Sequence, residues 1–149
     1  MVDTLAYRMT GSQADAEDLA QETFIQAFRQ LPDFRAEARF SSWLYRIAVN
    51  RCLNWKRRSE RREQLHGDWR QEVETAVTTD EGVVQQVQDA LLKLNHKQRA
   101  AVVLTVYDGL NRAEAAQVLG CSETTVSWRL FTARSKLKRL LKSVAVENT

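Results

Sequence analysis

The chain of 149 residues contains little cysteine, histidine, glycine or proline, and it has no long apolar run. Its two cysteines and its two histidines stand far apart, which argues against a disulfide framework and against a zinc site built from this chain alone. No run of about 18 apolar residues occurs, and the N-terminus lacks a basic segment followed by an apolar one. The sequence therefore predicts no membrane insertion and no secretion signal, and we expect a cytoplasmic protein with reduced thiols.

Apolar residues recur at helical spacing through most of the sequence. Over residues 15–31 they follow i, i+3, i+4 and i+7 positions until Pro32, which predicts a long amphipathic helix. A second helix is expected to be capped by Ser41 or Ser42 and to run towards Arg62. No strand pattern and no internal repeat is visible, so the predicted fold class is all-α.

Two small helical domains joined by a flexible linker are the predicted organisation. The first domain is predicted over residues 1–63 and the second, which contains a helix-turn-helix, over residues 84–149. Residues 64–83 have no sustained apolar period and contain two glycines, which is typical of a linker.

Charge is segregated along the chain, although the overall net charge is only +3. Residues 35–70 and 97–149 are basic, whereas residues 1–34 and 71–96 are acidic. The two basic blocks predict two separate surfaces for a polyanion, and the acidic blocks suit a protein partner or autoinhibition. The alternative for either block alone is a solvated helix face.

The second basic block carries a helix-turn-helix pattern. Ala116 is small where two helices would cross, Gly120 permits a tight turn, and Ser122 can cap a second helix that Val126 and Leu130 pack back. A helical hairpin inside a bundle is the alternative. The positions expected to face base edges and phosphates are Ser122, Thr124, Thr125, Ser127, Arg129, Arg134 and Lys136. Further exposed positions are expected at Trp128, Thr132, Lys138, Arg139 and Lys142.

The first basic block interleaves aromatic side chains with cations and amides over residues 40–58. Aromatic planes beside positive charge are what unpaired bases need for stacking and for neutralisation of their backbone. Trp43 lies at core spacing and is expected to be buried more readily than to stack on a base. Tyr45, Asn50 and Trp55 lie partly off that apolar stripe, which favours a surface role for them.

Two segments closely resemble bacterial group IV sigma factors, the extracytoplasmic-function class. The run from Asp15 to Phe24, continuing through Phe34 and Arg35 to the segment 43–50, is similar to region 2 of that family, and residues 89–142 are similar to region 4. Together they cover nearly the whole chain in the family's order. The resemblance implies a dissociable subunit that gives RNA polymerase its promoter specificity, with no cofactor.

The resemblance also implies roles for particular residues. The residues expected to dock on the β′ coiled coil of core RNA polymerase are Asp18, Gln21, Glu22 and Phe24. Those expected to hold the unpaired −10 element are Phe34, Arg35, Phe40, Tyr45, Arg46, Asn50, Arg51, Trp55, Lys56, Arg57 and Arg58. The helix that starts at Glu123 is expected to enter the major groove of the −35 element while region 4 leans on the β flap. An anti-sigma factor is a further expected partner.

This chain departs from the family pattern in two respects. Members carry roughly one to two further helical turns before the position of Leu5, so the chain is expected to start inside its first helix. Ser127 and Trp128 occupy the two middle positions of the DNA-binding helix, and the resemblance assigns no base to a tryptophan there. Cys52 and Cys121 are expected to be buried structural thiols and not a redox switch.

Three other functions are weighed against the sigma factor. A helix-turn-helix regulator that acts without engaging RNA polymerase leaves the aromatic and basic segment 40–62 unexplained. An enzyme is disfavoured because the sequence has no nucleophile-base grouping, metal-ligand cluster or glycine-rich phosphate loop. A structural adaptor predicts no salt-dependent affinity for DNA.

Overall fold

Seven α-helices are present in the part of the chain that the computed structural model describes, which is residues 1–35, 39–66 and 79–147. Inside these ranges the side chains at positions 56, 60, 62–66, 79–80 and 143–147 are not described. The N-terminal half contains α1 (Val2–Thr10), α2 (Gln13–Gln30) and α3 (Phe40–His66). The C-terminal half contains α4 (Thr79–Lys93), α5 (His96–Val102), a π-helical continuation (Val103–Tyr107), α6 (Arg112–Leu119) and α7 (Glu123–Glu147). The predicted all-α class is confirmed.

Local sequence explains where the first helices begin and end. α1 stops at Gly11, whose φ of 73° lies in the left-handed region that glycine tolerates. Ser12 then caps α2, because its side chain accepts a hydrogen bond from the Asp15 backbone N–H at 3.3 Å. α2 ends at Gln30, and Pro32 lies in the 3-10 turn that follows.

α3 begins earlier than the sequence predicts. The Trp43 backbone N–H donates to the carbonyl of Arg39 at 3.1 Å, so the chain is already helical at Phe40. Ser41 and Ser42 therefore lie in the first turn and not at the cap. The predicted linker over 64–83 is helical at both ends, because α3 extends to His66 and α4 starts at Thr79. The rest of the predicted linker lies outside the described residues.

The two halves share one contiguous apolar core. In the N-terminal half it is built from small and branched side chains on α1, α2 and α3, and in the C-terminal half from the facing sides of α4 to α7. Side chains that are at most 2% exposed in this core include Leu5, Ala16, Leu19, Val49, Cys52, Leu91, Leu104, Val118 and Val126. The halves are thus packed against each other, with α1 on α4 and α5, and α3 on α6.

Arg99 fixes this packing at its centre. The side chain is buried, with 1% exposure, and its guanidinium donates to the backbone carbonyls of Leu91, Leu92 and Leu94 at 2.7 to 2.9 Å. It also donates to the carbonyl of Met9 in α1, at 2.5 Å. Carbonyls at helix C-termini have no partner inside their own helix, so one guanidinium satisfies such groups at the ends of both α1 and α4.

Further contacts extend this boundary, which we call the seam between the halves. The Gln88 side-chain amide donates to the carbonyl of Tyr7 at 3.3 Å. The Arg8 guanidinium lies 4.1 Å from the centre of the Tyr107 ring. A Cβ added at Gly11 would lie 2.6 Å from a methyl carbon of Leu92, so α1 and α4 approach closely where Gly11 has no side chain.

Candidate functional site

α2 exposes its largest apolar side chains and buries its small ones. Phe24 and Ile25 are 55% and 54% exposed, and Phe28 is 79% exposed. The buried face of the same helix consists of small residues and one leucine: Ala16, Leu19, Ala20, Thr23 and Ala27. The helical spacing over residues 15–31 puts Phe24, Phe28 and Leu31 in one apolar stripe with the buried residues. The structure buries only the small residues and Leu19 of that stripe, because α1 and α3 approach α2 there. We call Phe24, Ile25 and Phe28, together with the half-exposed Leu31 that directly follows α2, the α2 apolar row.

Polar residues border the α2 apolar row. Asp18 and Gln21 are exposed, whereas Glu22 is half-buried beside α3. Glu22 lies 3.6 Å from the guanidinium of Arg51, which also donates to the side chain of Gln26. The Arg51 guanidinium is therefore held against α2 by Glu22 and Gln26, and it is less available to bind a phosphate.

An aromatic cluster joins the two ends of the segment that precedes α3. The Phe34 ring centre lies 5.7 Å from that of Phe40 and 5.2 Å from that of Trp43, and the Phe40 and Trp43 centres are 5.5 Å apart. Phe40 is half-exposed, Phe34 and Trp43 are half-buried, and Arg35 is exposed. The cluster leaves an aromatic edge in solvent with a cation beside it.

The outer face of α3 is cationic. Arg46, Asn50, Arg57 and Arg58 are exposed. Four arginines and one asparagine line a shallow open groove along this helix: Arg51, Asn54, Arg57, Arg58 and Arg61. The side chain of Lys56 lies outside those described. Trp55 is half-buried and packs on the core, so less of its ring is available than the sequence pattern indicated.

The structure contradicts the surface role expected for Tyr45. Its exposure is 8%, because it shares a buried stripe with Ala48, Val49 and Cys52 at i, i+3, i+4 and i+7 spacing. This stripe faces the rest of the fold, while Asn50 lies on the opposite, exposed side. Burial, and secondarily the negative charge of Asp108, raise the pKa of Tyr45 above its ordinary value.

The helix-turn-helix geometry is present in the C-terminal half. Asn111 caps α6 through a reciprocal pair of hydrogen bonds with Glu114, at 2.8 and 3.2 Å. Gly120 ends α6 with a φ of 65°, and the Ser122 hydroxyl accepts from the backbone N–H of Thr125 at 3.1 Å to start α7. Gly120 and Ser122 thus have the turn and cap positions that the sequence predicts.

The residues of α7 that are expected to contact DNA differ in their exposure. Thr124 and Arg134 are exposed, whereas Thr125, Ser127 and Lys136 are half-buried. Ser122 is exposed, but its hydroxyl is engaged in the cap. Arg129 lies on the flank of the helix, with one guanidinium nitrogen 3.7 Å from the sulfur of Cys121.

Sequence reasoning missed what Phe131 contributes to this face. Trp128 and Phe131 are each 64% exposed, and their rings stack with centres 5.9 Å apart and planes 23° apart. Their spacing of three residues on one helix could have predicted the pair, because such positions are neighbours on the helix surface.

Burial raises the pKa of the Cys52 thiol to about 12, and Cys121 is half-buried. Among the residues that the structure describes, no cluster of histidine, cysteine or carboxylate side chains could hold a metal ion. The described helices include none that is both long and apolar enough to cross a membrane. Three surfaces of the described residues are candidates for binding partners: the α2 apolar row, the cationic face of α3 and the outer face of α7.

Comparisons with known proteins cover both halves of the chain. Residues 1–62 match the family Sigma-70 region 2, and residues 84–137 match the family Sigma-70, region 4. The ECF RNA polymerase sigma factor SigM of Mycobacterium tuberculosis is 38% identical over 92% of this chain and 69% of its own length. The ECF RNA polymerase sigma factor SigW of Bacillus subtilis is 32% identical over 94% of this chain and 82% of its own length.

Solved structures with the same fold include two complexes. The sigma factor RpoE in complex with the anti-sigma factor NepR from Bartonella quintana has a TM-score of 0.80 and 27% identity, covering 95% of this chain and 89% of its own. CnrH in complex with the cytosolic domain of CnrY has a TM-score of 0.73 and 30% identity, covering 95% of this chain and 80% of its own.

Proposed function

The chain belongs to the ECF RNA polymerase sigma factors, and on that premise we propose how its surfaces divide the work of directing transcription. It is a transcription initiation factor and not an enzyme. The alternative of a helix-turn-helix regulator that acts without RNA polymerase has no support, because sigma-family matches cover both halves of the chain. We assign residues 1–63 to core polymerase and the −10 element, and residues 84–149 to the −35 element.

The α2 apolar row is the surface proposed to bind core polymerase, and it is the observation that carries the proposal. Exposed phenylalanines cost solubility unless a partner covers them, and aromatic side chains are enriched at protein interfaces. Phe24 and Phe28 supply apolar anchors, and Asp18 and Gln21 beside them supply a polar rim for a basic surface such as the β′ coiled coil.

The aromatic cluster and the outer face of α3 are proposed to hold the unpaired strand of the −10 element. Phe34 and Phe40 offer ring surface on which a base can stack, and Arg35 lies beside them. Asn50 and Arg46 on the exposed side of α3 supply an amide for a base edge and a charge for a phosphate. The proposal omits Tyr45, which is buried.

α7 is proposed to enter the major groove of the −35 element, because a helix-turn-helix presents its second helix to DNA in this way. Thr124 and Arg134 are exposed on α7 and available to the groove and its phosphates. The opposite surface of this half is proposed to meet the β flap. The proposed compartment is the cytoplasm, where RNA polymerase acts.

An anti-sigma protein is the proposed regulator. The solved relatives are complexes with NepR and with CnrY, and the α2 apolar row gives such an inhibitor a surface that it would have to share with core polymerase. Competition for one surface explains inhibition without any change in the DNA-binding faces.

Reconstituted transcription tests the assignment. We expect core RNA polymerase plus this chain to initiate at specific promoters that core alone does not use. Phe28→Asp is expected to abolish core binding, whereas Val84→Asp, at a position 71% exposed on α4, is the matched control and leaves it unchanged. Asn50→Ala is expected to bind core normally and to open promoters poorly. Equal core binding by both aspartate variants would refute the role of the α2 apolar row.

A further inference from the structure

The stacked pair of Trp128 and Phe131 on α7 lies outside the buried core. The core-facing stripe of this helix is Val126, Leu130 and Ala133, which are at most 4% exposed. Trp128 and Phe131 lie on the other side and leave most of their surface in solvent. A large aromatic pair that stays exposed after folding is typical of a surface that binds another molecule.

The charges around the pair indicate a polyanion as the partner. Lys138 follows Phe131 by seven residues and Arg139 follows Trp128 by eleven, so both cations continue the same helix face, and both are exposed. Glu123 is the one acidic residue of α7 before its last turn. The patch therefore combines aromatic rings with a cationic extension, which suits the bases and phosphates of duplex DNA better than a purely apolar protein groove.

Besides Arg134, this face has few of the polar side chains that usually read bases. α7 contains no asparagine or glutamine, and Arg129, the side chain suited to guanine, is turned towards Cys121 on the flank. Over residues 123–133 of α7 the exposed side chains are Glu123, Thr124 and the two aromatic rings. An apolar side chain in the major groove distinguishes bases through the 5-methyl group of thymine.

We propose that Trp128 and Phe131 contact thymine methyl groups in the major groove of the −35 element, and that this contact determines the promoter preference of the sigma factor there. The inference rests on the proposed placement of α7 in that groove. Three residues advance a helix by about 4.5 Å, against about 3.4 Å per base-pair step, so the pair spans adjacent base pairs. The expected feature of the element is therefore two neighbouring thymines.

Deoxyuridine substitution tests the proposal, because deoxyuridine differs from thymidine only by that methyl group. The holoenzyme, core polymerase with the full chain, is measured on a promoter selected from a library, with each −35 thymine replaced in turn. We expect about a fourfold loss of affinity at one or two positions, which is the effect of no longer burying one methyl group. Holoenzyme with Trp128→Ser or with Phe131→Ser is expected to lose this discrimination at one of these positions. Its affinity should be the same whether thymine or deoxyuridine stands there.

Arg139→Ser is the control, and it is expected to weaken binding to all promoters alike while keeping the sensitivity to deoxyuridine. The proposal is overturned if the wild type does not distinguish thymine from deoxyuridine at any −35 position. It is also overturned if Trp128→Ser keeps the sensitivity, or if that variant instead loses binding to core polymerase without DNA, which would make the pair a protein contact. Absence of promoter-specific initiation by the wild type would refute the proposed function itself.

Discussion

Replacing Arg99 tests whether the seam stabilises the whole fold. Arg99→Met keeps most of the side-chain volume but removes the donors from four backbone carbonyls, those of Met9, Leu91, Leu92 and Leu94. Each buried acceptor left without a partner costs about 1 kcal/mol or more. The Leu91 carbonyl still accepts from the Leu94 backbone N–H at 3.1 Å, so the substitution leaves three carbonyls without this donor. We therefore expect the free energy of unfolding to fall by about 3 kcal/mol, a large part of the stability of an ordinary domain, which is about 5–15 kcal/mol.

Urea unfolding followed by circular dichroism measures this loss. The matched control is Arg29→Met, because Arg29 is an exposed arginine in the last turn of α2. Substitutions at such surface positions change stability by about 0.5 kcal/mol or less. A loss below about 1 kcal/mol for Arg99→Met would refute the reasoning, since it would mean that water or other donors readily satisfy these carbonyls.

Three further outcomes follow from the seam and the core. Gly11→Ala and Gly120→Ala both strain a left-handed backbone. Thermal unfolding is expected to show a larger loss of stability for Gly11→Ala, because only at that position does a side chain of α4 block the added methyl group. Equal losses for the two variants would contradict the close approach of α1 and α4. Burial raises the pKa of Asp108, so the folded chain binds that proton more tightly than the unfolded chain. Asp108→Asn should therefore raise stability at pH 7, with the gain vanishing below pH 3.8, and a gain independent of pH would argue against this cause. A thiol reagent should modify Cys121 in the native protein and Cys52 only after unfolding, whereas rapid reaction of both thiols would show that Cys52 is accessible.

The helices were predictable from the sequence because their signals are local. The 3.6-residue period, the stop at Pro32, and the glycine and serine of the α6–α7 turn depend on neighbouring residues, and the structure has each of them. Tyr45 could not be placed in this way. Periodicity identifies the stripes on a helix, but it does not tell which of them another half of the chain will cover.

Arg99 and Phe28 illustrate the same limit in opposite directions. Arg99 was counted with the basic block of the C-terminal half, and nothing near it in the sequence indicates that carbonyls from two helices surround it. Phe28 has core spacing, yet the neighbouring helices pack on the alanines of α2 and leave its ring 79% exposed. In both cases residues distant in the sequence decide the outcome.

The seam also has a consequence for the time course of synthesis. Arg99 bonds a carbonyl 90 residues earlier, and Gln88 bonds one 81 residues earlier. A ribosome adds about 5–20 residues per second, so the end of α1 waits on the order of ten seconds for the side chains that complete its packing. During that interval the nascent N-terminal half presents the surface that α4 and α5 later cover. Chaperones can bind the chain at this stage, and slowing translation between codons 10 and 99 would lengthen its exposure.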